Sequence, residues 1–111
     1  MSHRVAQVNK LIQKDISEII AKDLELPLGI LLTVTRVKTG SDLKHSKIFV
    51  SVLPEEKAEQ TLKWLDKRKG FLQKKLAANL TMKFSPKIFF AADETEAYAN
   101  RIEEILDSLK K

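Results

Sequence analysis

The sequence predicts a single α+β domain over residues 1–111, with helices packed on one face of a three-stranded sheet. Three patterns carry that expectation. Apolar residues recur at three- and four-residue spacing near the start, through the middle and at the end, which is helical periodicity. Two β-branched runs flank a short turn, which reads as a hairpin. A later run alternates apolar with polar residues, which reads as a half-buried strand. A chain of 111 residues suits one domain built around one core.

The first helix runs from about His3 to Lys22, with Ser2 as its N-cap. Val5, Val8, Leu11, Ile12, Ile16, Ile19 and Ile20 form its apolar stripe. Pro27 and Gly29 end it. Ile30 to Val37 and Lys47 to Leu53 are the two hairpin strands. Thr39-Gly40-Ser41-Asp42 turns between them, with Gly40 free to take positive φ. In the second strand Ile48, Val50 and Val52 share one face, and Phe49, Ser51 and Leu53 the other.

Pro54-Glu55-Glu56 opens the next helix, since proline fits a first turn and acids complement the N-terminal dipole. Its stripe continues through Ala58, Leu62, Leu65, Leu72, Leu76 and Leu80. Gly70 interrupts that stripe and predicts a kink, because glycine in a helix costs about 1 kcal/mol relative to alanine. Thr81 to Ala92 is the third strand, with Met82, Phe84, Pro86, Ile88 and Phe90 alternating against Lys83, Ser85, Lys87 and Phe89. Pro86 cannot donate to a ladder and so points to an edge strand. Asp93 to Glu96 matches a capping box for a last helix over about 94–110, striped by Tyr98, Ile102, Ile105, Leu106 and Leu109. The expected order is α-β-β-α-(kink)-α-β-α.

Charge is unevenly spread. Residues 1–62 carry nine Lys/Arg against eight Asp/Glu, residues 63–87 eight against one, and residues 88–111 three against six. A concentrated basic middle suits a polyanion, because each neutralised phosphate releases counterions. The cations are Lys63, Lys67, Arg68 and Lys69 before Gly70 or beside it, Lys74 and Lys75 after it, and Lys83 and Lys87 on the third strand. Drawn around the kink, they would form a groove of lysines and helix N-terminal amides suited to phosphate oxygens. Such contacts position RNA without reading its sequence. Trp64 either stacks on a base or lies partly buried beside Leu65, Phe49, Phe84 and Phe90 are assigned to the core, and Phe71 is left open.

Catalytic chemistry has no foothold in the sequence. Cysteine is absent, which removes thiol catalysis, disulfides and thiolate metal sites. His3 and His45 have no carboxylate or nucleophile at a recognisable spacing. With glycine only at positions 29, 40 and 70, no phosphate-cradling loop can be written. No cofactor and no metal is expected. No apolar run approaches the roughly 18 residues that span a bilayer, so a cytoplasmic protein with no membrane and no small-molecule substrate is expected.

Several strings, taken in order, resemble a known family. They are Leu32-Thr33-Val34-Thr35-Arg36-Val37, Asp42-Leu43, Lys47-Ile48-Phe49-Val50-Ser51-Val52, Gly70-Phe71-Leu72, and Lys83 through Pro86-Lys87-Ile88 and Phe90 to Asp93. Together they resemble ribosome-binding factor A from Arg4-Val5 to Leu109. The resemblance implies a type II KH-like fold in which a helix–kink–helix replaces the GxxG loop, with Gly70 as the kink. It also implies a monomeric, non-catalytic protein bound to small-subunit ribosomal RNA on the free 30S subunit, acting in late maturation near the RNA's 5′ end and in cold adaptation. The sequence departs from the family pattern at Arg68, where a small residue is usual, at Gln73 and Lys83, where arginine is usual, and at Gly40, where serine is usual. The competing expectations are a KH-like module that works through protein contacts, by its sheet edge or acidic last helix, and a small α+β enzyme. The missing constellations disfavour the enzyme, and the basic middle favours RNA.

Overall fold

Helix α1, His3–Asp23, forms where the apolar stripe is longest, and it buries Val8, Ile12, Ile16, Ile19 and Ile20. Leu11 belongs to the same spacing but stands 41% exposed, so the stripe is narrower than the sequence suggests. The computed structural model describes residues 3–80 and 86–93. The Ser2 cap, the Thr81–Ser85 part of the third strand with Lys83, and the helix expected over 94–110 lie outside them.

Strands β1 (Leu31–Thr39) and β2 (His45–Leu53) form the hairpin, and Ile48, Val50 and Val52 of β2 are buried as their alternation predicts. Phe49, assigned to the core from sequence, lies instead on the opposite face with Ser51 and Leu53, half-buried. The turn also differs from expectation. Leu43, not Gly40, takes the left-handed conformation, at φ 60°. An L-residue there costs about 1–2 kcal/mol. Burial of the Leu43 side chain in the core offsets that cost, and Asp42 Oδ1 accepts the Lys44 amide at 3.0 Å to fix the bend.

After a short 3-10 turn, Glu55–Lys57, come α2 (Ala58–Lys67) and α3 (Lys69–Asn79), then β3 (Lys87–Ala92). The sheet order is β1-β2-β3, with β1 antiparallel and β3 parallel to the central β2. The parallel pairing follows from the two-helix crossover that returns the chain to the same end of the sheet. Helices α1, α2 and α3 share one face, where Leu65, Leu72, Leu76, Leu80 and Ile88 complete the core. The architecture is α+β, as the sequence predicts.

One irregularity sets the phase of β1. Val34 pairs with Val50, but Arg36 pairs with Phe49, so Thr35 is the extra residue of a β-bulge. Before the bulge the even-numbered Val34 faces the core; after it the odd-numbered Val37 and Thr39 do. Thr35 is held from both sides. Its hydroxyl donates to Asp93 Oδ2 at 2.6 Å, and Gln13 Nε2 on α1 reaches the Val34 and Thr35 carbonyls at 3.4 Å. The Asp93 side chain is 5% exposed and lies 3.7 Å from Arg36 Nε, and the Asp93 amide donates to the Val50 carbonyl at 2.8 Å. This residue ties the end of β3 to the bulge across β2.

These contacts set measurable costs. Asp93→Ala should lower unfolding stability by about 2 kcal/mol, the scale of a hydrogen bond to a charged group. Thr35→Val should cost less, and the pair should be clearly non-additive in a double-mutant cycle followed by urea denaturation. On α1, burial raises the Asp15 pKa above its ordinary 3.8, Glu18 raises it further, and Lys14 opposes both. The folded chain therefore holds that proton more tightly than the unfolded chain. Its stabilising contribution is present at low pH and is lost as pH rises through the folded value. Asp15→Asn should raise the melting temperature at neutral pH and leave it unchanged at the acid end of a pH series.

Candidate nucleic-acid interface

The long amphipathic segment breaks at Arg68 (φ −102°, ψ 6°), which is the C-cap of α2 and the N-cap of α3. Gly70, the kink residue expected from sequence, lies two positions beyond the break, inside the first turn of α3. Its φ is not positive, and among the described residues no atom approaches within 4 Å of where its Cβ would stand. The break has a visible hold. Arg68 donates its amide to the Leu65 carbonyl at 2.9 Å and Nη1 to the Trp64 carbonyl at 3.0 Å, while its guanidinium lies 4.0 Å over the Trp64 ring. A cation stacked on tryptophan is worth roughly 0.5–2 kcal/mol. The long side chain at position 68 is therefore part of the junction. Trp64 is half-buried against the core beneath it, which agrees with the buried alternative and leaves no free ring face toward Arg68.

Helix α3 begins without a side-chain cap and without an acid in its first turn. The first intrahelical bond of that turn runs from the Leu72 amide to the Arg68 carbonyl. Partial positive charge collects there, with Lys67, Arg68 and Lys69 alongside. A phosphate oxygen could approach this backbone closely because Gly70 presents no side chain.

The cations named from sequence do not all converge. Lys63 and Lys67 lie beside a shallow groove that Glu59, Leu62, Asp66 and Phe90 also line. Lys63 sits 3.7 Å from Glu59 across one helical turn. Lys69 sits 3.5 Å from Asp66 and reaches over the Phe89 ring at 5.0 Å, toward β3. Lys75 turns the other way, 4.0 Å from Asp23 at the end of α1 and 5.8 Å from the ring of Phe71. Lys74 and Lys87 are exposed, Lys87 opposite His45 in register. Exposed pairs of this kind contribute at most about 1 kcal/mol, so they leave the lysines available to a stronger anion. Phe71, undecided from sequence, is 43% exposed in the first turn of α3.

Gln73 has a role that its sequence position did not announce. Its Nε2 donates to the Pro86 carbonyl at 2.6 Å and its Oε1 accepts the Ile88 amide at 2.9 Å. One amide side chain thus substitutes for a missing neighbouring strand on the outer edge of β3. It fixes the junction against the sheet. Sequence reasoning also missed Arg36, Lys38, Lys44 and Lys47, which lie on or beside the hairpin. The signal that would have found them is the outward position of Phe89 in the third strand, an aromatic ring among lysines.

Known proteins resemble this chain along its length. The profile of the family described as ribosome-binding factor A matches residues 4–106. A ribosome-binding factor A of Halothermothrix orenii is 32% identical over 109 residues, covering 97% of this chain and 89% of the relative. The crystal structure of ribosome-binding factor A from Thermus thermophilus superposes with a TM-score of 0.69 at 25% identity, covering 79% of this chain and 94% of that one. A homology model of the Thermus thermophilus factor, fitted into a cryo-EM map of its complex with the 30S subunit, gives a TM-score of 0.63 at 26% identity over 86% of this chain and 98% of that one.

Gly70→Ala should raise stability by about 0.5 kcal/mol, because the added methyl meets open space and lowers the entropy of the unfolded chain. A thermal melt reads this directly. A drop in stability would show that the first turn of α3 needs glycine for the fold itself.

Proposed function

This chain belongs to the ribosome-binding factor A family, and we propose that it binds the free 30S subunit by docking the α2–α3 junction on small-subunit ribosomal RNA. The observation that carries this reading is the open N-terminus of α3. A helix start with no side-chain cap, a glycine with no neighbour at its Cβ and flanking cations suit a phosphate, and Gln73 holds them against the sheet. The fitted complex of the Thermus thermophilus factor supports the choice of subunit.

The mechanism is occupancy, with no bond made or broken. A rigid domain holds immature RNA helices near the 5′ end in a non-final arrangement late in maturation, and then leaves. Chemistry enters only as charge neutralisation. Lys67, Arg68, Lys69 and Lys74 supply charge around the junction, and Lys63, Lys75 and Lys87 extend the basic surface to either side. Five phosphate contacts would give a log–log salt slope of about −3.5 to −4.5. The protein acts as a monomer in one domain and without a cofactor. Among the described residues no helix is long and apolar enough to cross a membrane, and no group of acids and histidines is placed to hold a metal.

Sedimentation of the purified chain with 30S, 50S and 70S particles across a salt series tests the reading. Selective association with free 30S that weakens steeply with salt is the expected result. Lys67→Glu with Lys74→Glu should abolish that association at moderate salt while the melting temperature stays unchanged, because both side chains are exposed. Undiminished association of the folded double variant would remove the junction from the interface.

A further inference from the structure

The sheet face turned away from the helices carries, besides Lys87, cations and rings that the junction does not use. Register sets its rows. Lys38 stands opposite Lys47, which is level with Phe89; Arg36 stands opposite Phe49; His45 is level with Lys87. Phe89 is 43% exposed, a large apolar ring outside any core. The His45 ring lies 5.8 Å from it, centroid to centroid. Phe49 is covered by the Arg36 guanidinium at 4.0 Å, with Lys47 Nζ at 5.4 Å, and the Arg36 side chain is itself half exposed. Asp93, the acid beside Arg36, is almost fully buried and already engaged by Thr35 and Arg36.

Phe89 gives this face an exposed flat apolar group that its lysines alone do not supply. A protein-binding face usually places its lysines at the rim and keeps them out of the centre. Here Lys47 is central, between Lys38 and Phe89. Rings interleaved with cations suit an unpaired nucleic-acid strand, whose bases stack on flat groups while its phosphates meet the lysines. Lys69 reaches from the start of α3 to Phe89, so this face is continuous with the junction.

We propose that the open sheet face is a second RNA contact, which takes an unpaired stretch of ribosomal RNA. Bases stack on Phe89 and on the Arg36 guanidinium above Phe49, and phosphates lie against Lys38, Lys47 and Lys87. This rests on the ribosomal-RNA reading above. It differs from that reading in ligand form, a single strand on a sheet, and, Lys87 apart, in the residues that hold it.

The test measures full-length protein against a labelled single-stranded oligoadenylate of about twelve nucleotides, in parallel with 30S sedimentation. The wild-type chain should bind the oligonucleotide. Phe89→Ala should weaken that binding about tenfold with the salt slope unchanged, because a stack is lost and no charge is. Lys38→Gln with Lys47→Gln should instead flatten the log–log salt slope by about 1.4, or 0.7 for each phosphate contact on a single strand. All three side chains are exposed, so circular dichroism and melting should match wild type. If the wild-type chain associates with 30S but ignores the oligonucleotide, or all variants bind it normally, the sheet face is overturned and the junction reading stands. If Phe89→Ala loses 30S association while oligonucleotide binding is unchanged, the face contacts ribosomal protein and the RNA assignment is overturned. If the wild-type chain fails to associate with 30S at all, the ribosomal reading falls and takes this one with it.

Discussion

The bulge at Thr35 is the constraint on which the two faces of the sheet depend. Side chains alternate strictly along a strand, so a register one residue out exchanges buried and exposed sets. Continued without the bulge, the alternation that buries Val34 would carry Arg36 and Lys38 into the core and push Val37 outward. Burying two unpaired cations would cost far more than a domain of this size has to spare. The extra residue avoids this, and the Asp93 carboxylate and the Gln13 side chain hold it in place. Asp93 accepts the Thr35 hydroxyl, sits beside Arg36, and anchors its own amide to β2. One contact network therefore sets the phase of β1, the end of β3 and the posture of Arg36 over Phe49.

The second dependence runs through the helix break. Arg68 ends one helix and begins the next, and its guanidinium stacks on Trp64 across the break. Because the break falls at Arg68, Gly70 is left in the first turn of α3 with nothing crowding its Cβ. The same helix is docked to the sheet through Gln73, which also closes part of the β3 edge against unwanted pairing. Rigid placement matters for phosphate recognition, since an ordered site loses less entropy on binding than a mobile one.

The two basic surfaces differ in kind. At the junction, charge surrounds backbone amides at a helix end, an arrangement suited to a phosphate and indifferent to bases. On the open sheet face, charge is interleaved with rings, an arrangement suited to bases as well. Lys69, with Asp66 on one side and Phe89 on the other, joins them. A protein that neutralises many phosphates is sensitive to salt throughout, whereas stacking is less so, and this difference separates the two surfaces experimentally.

The sequence by itself determined the order of elements from α1 to β3, most of the buried stripe of α1 and the alternation of β2, because these depend on local periodicity that survives without tertiary information. It also located the basic middle and the absence of thiol chemistry. The break at Arg68 was misplaced onto Gly70, since helix propensity marks the weakest residue and not the one that a tryptophan ring holds open. The left-handed residue of the hairpin turn was likewise placed at Gly40, because the burial that offsets strain at Leu43 is not a local property. Lys63 and Lys75 looked like neighbours of one groove, yet packing sends Lys75 toward α1 and Lys63 toward Phe90. The cationic face of the sheet was invisible for a related reason. Lys38, Lys47 and Phe89 are far apart in the chain, and only strand pairing, rephased by one bulged threonine, brings them into a single row.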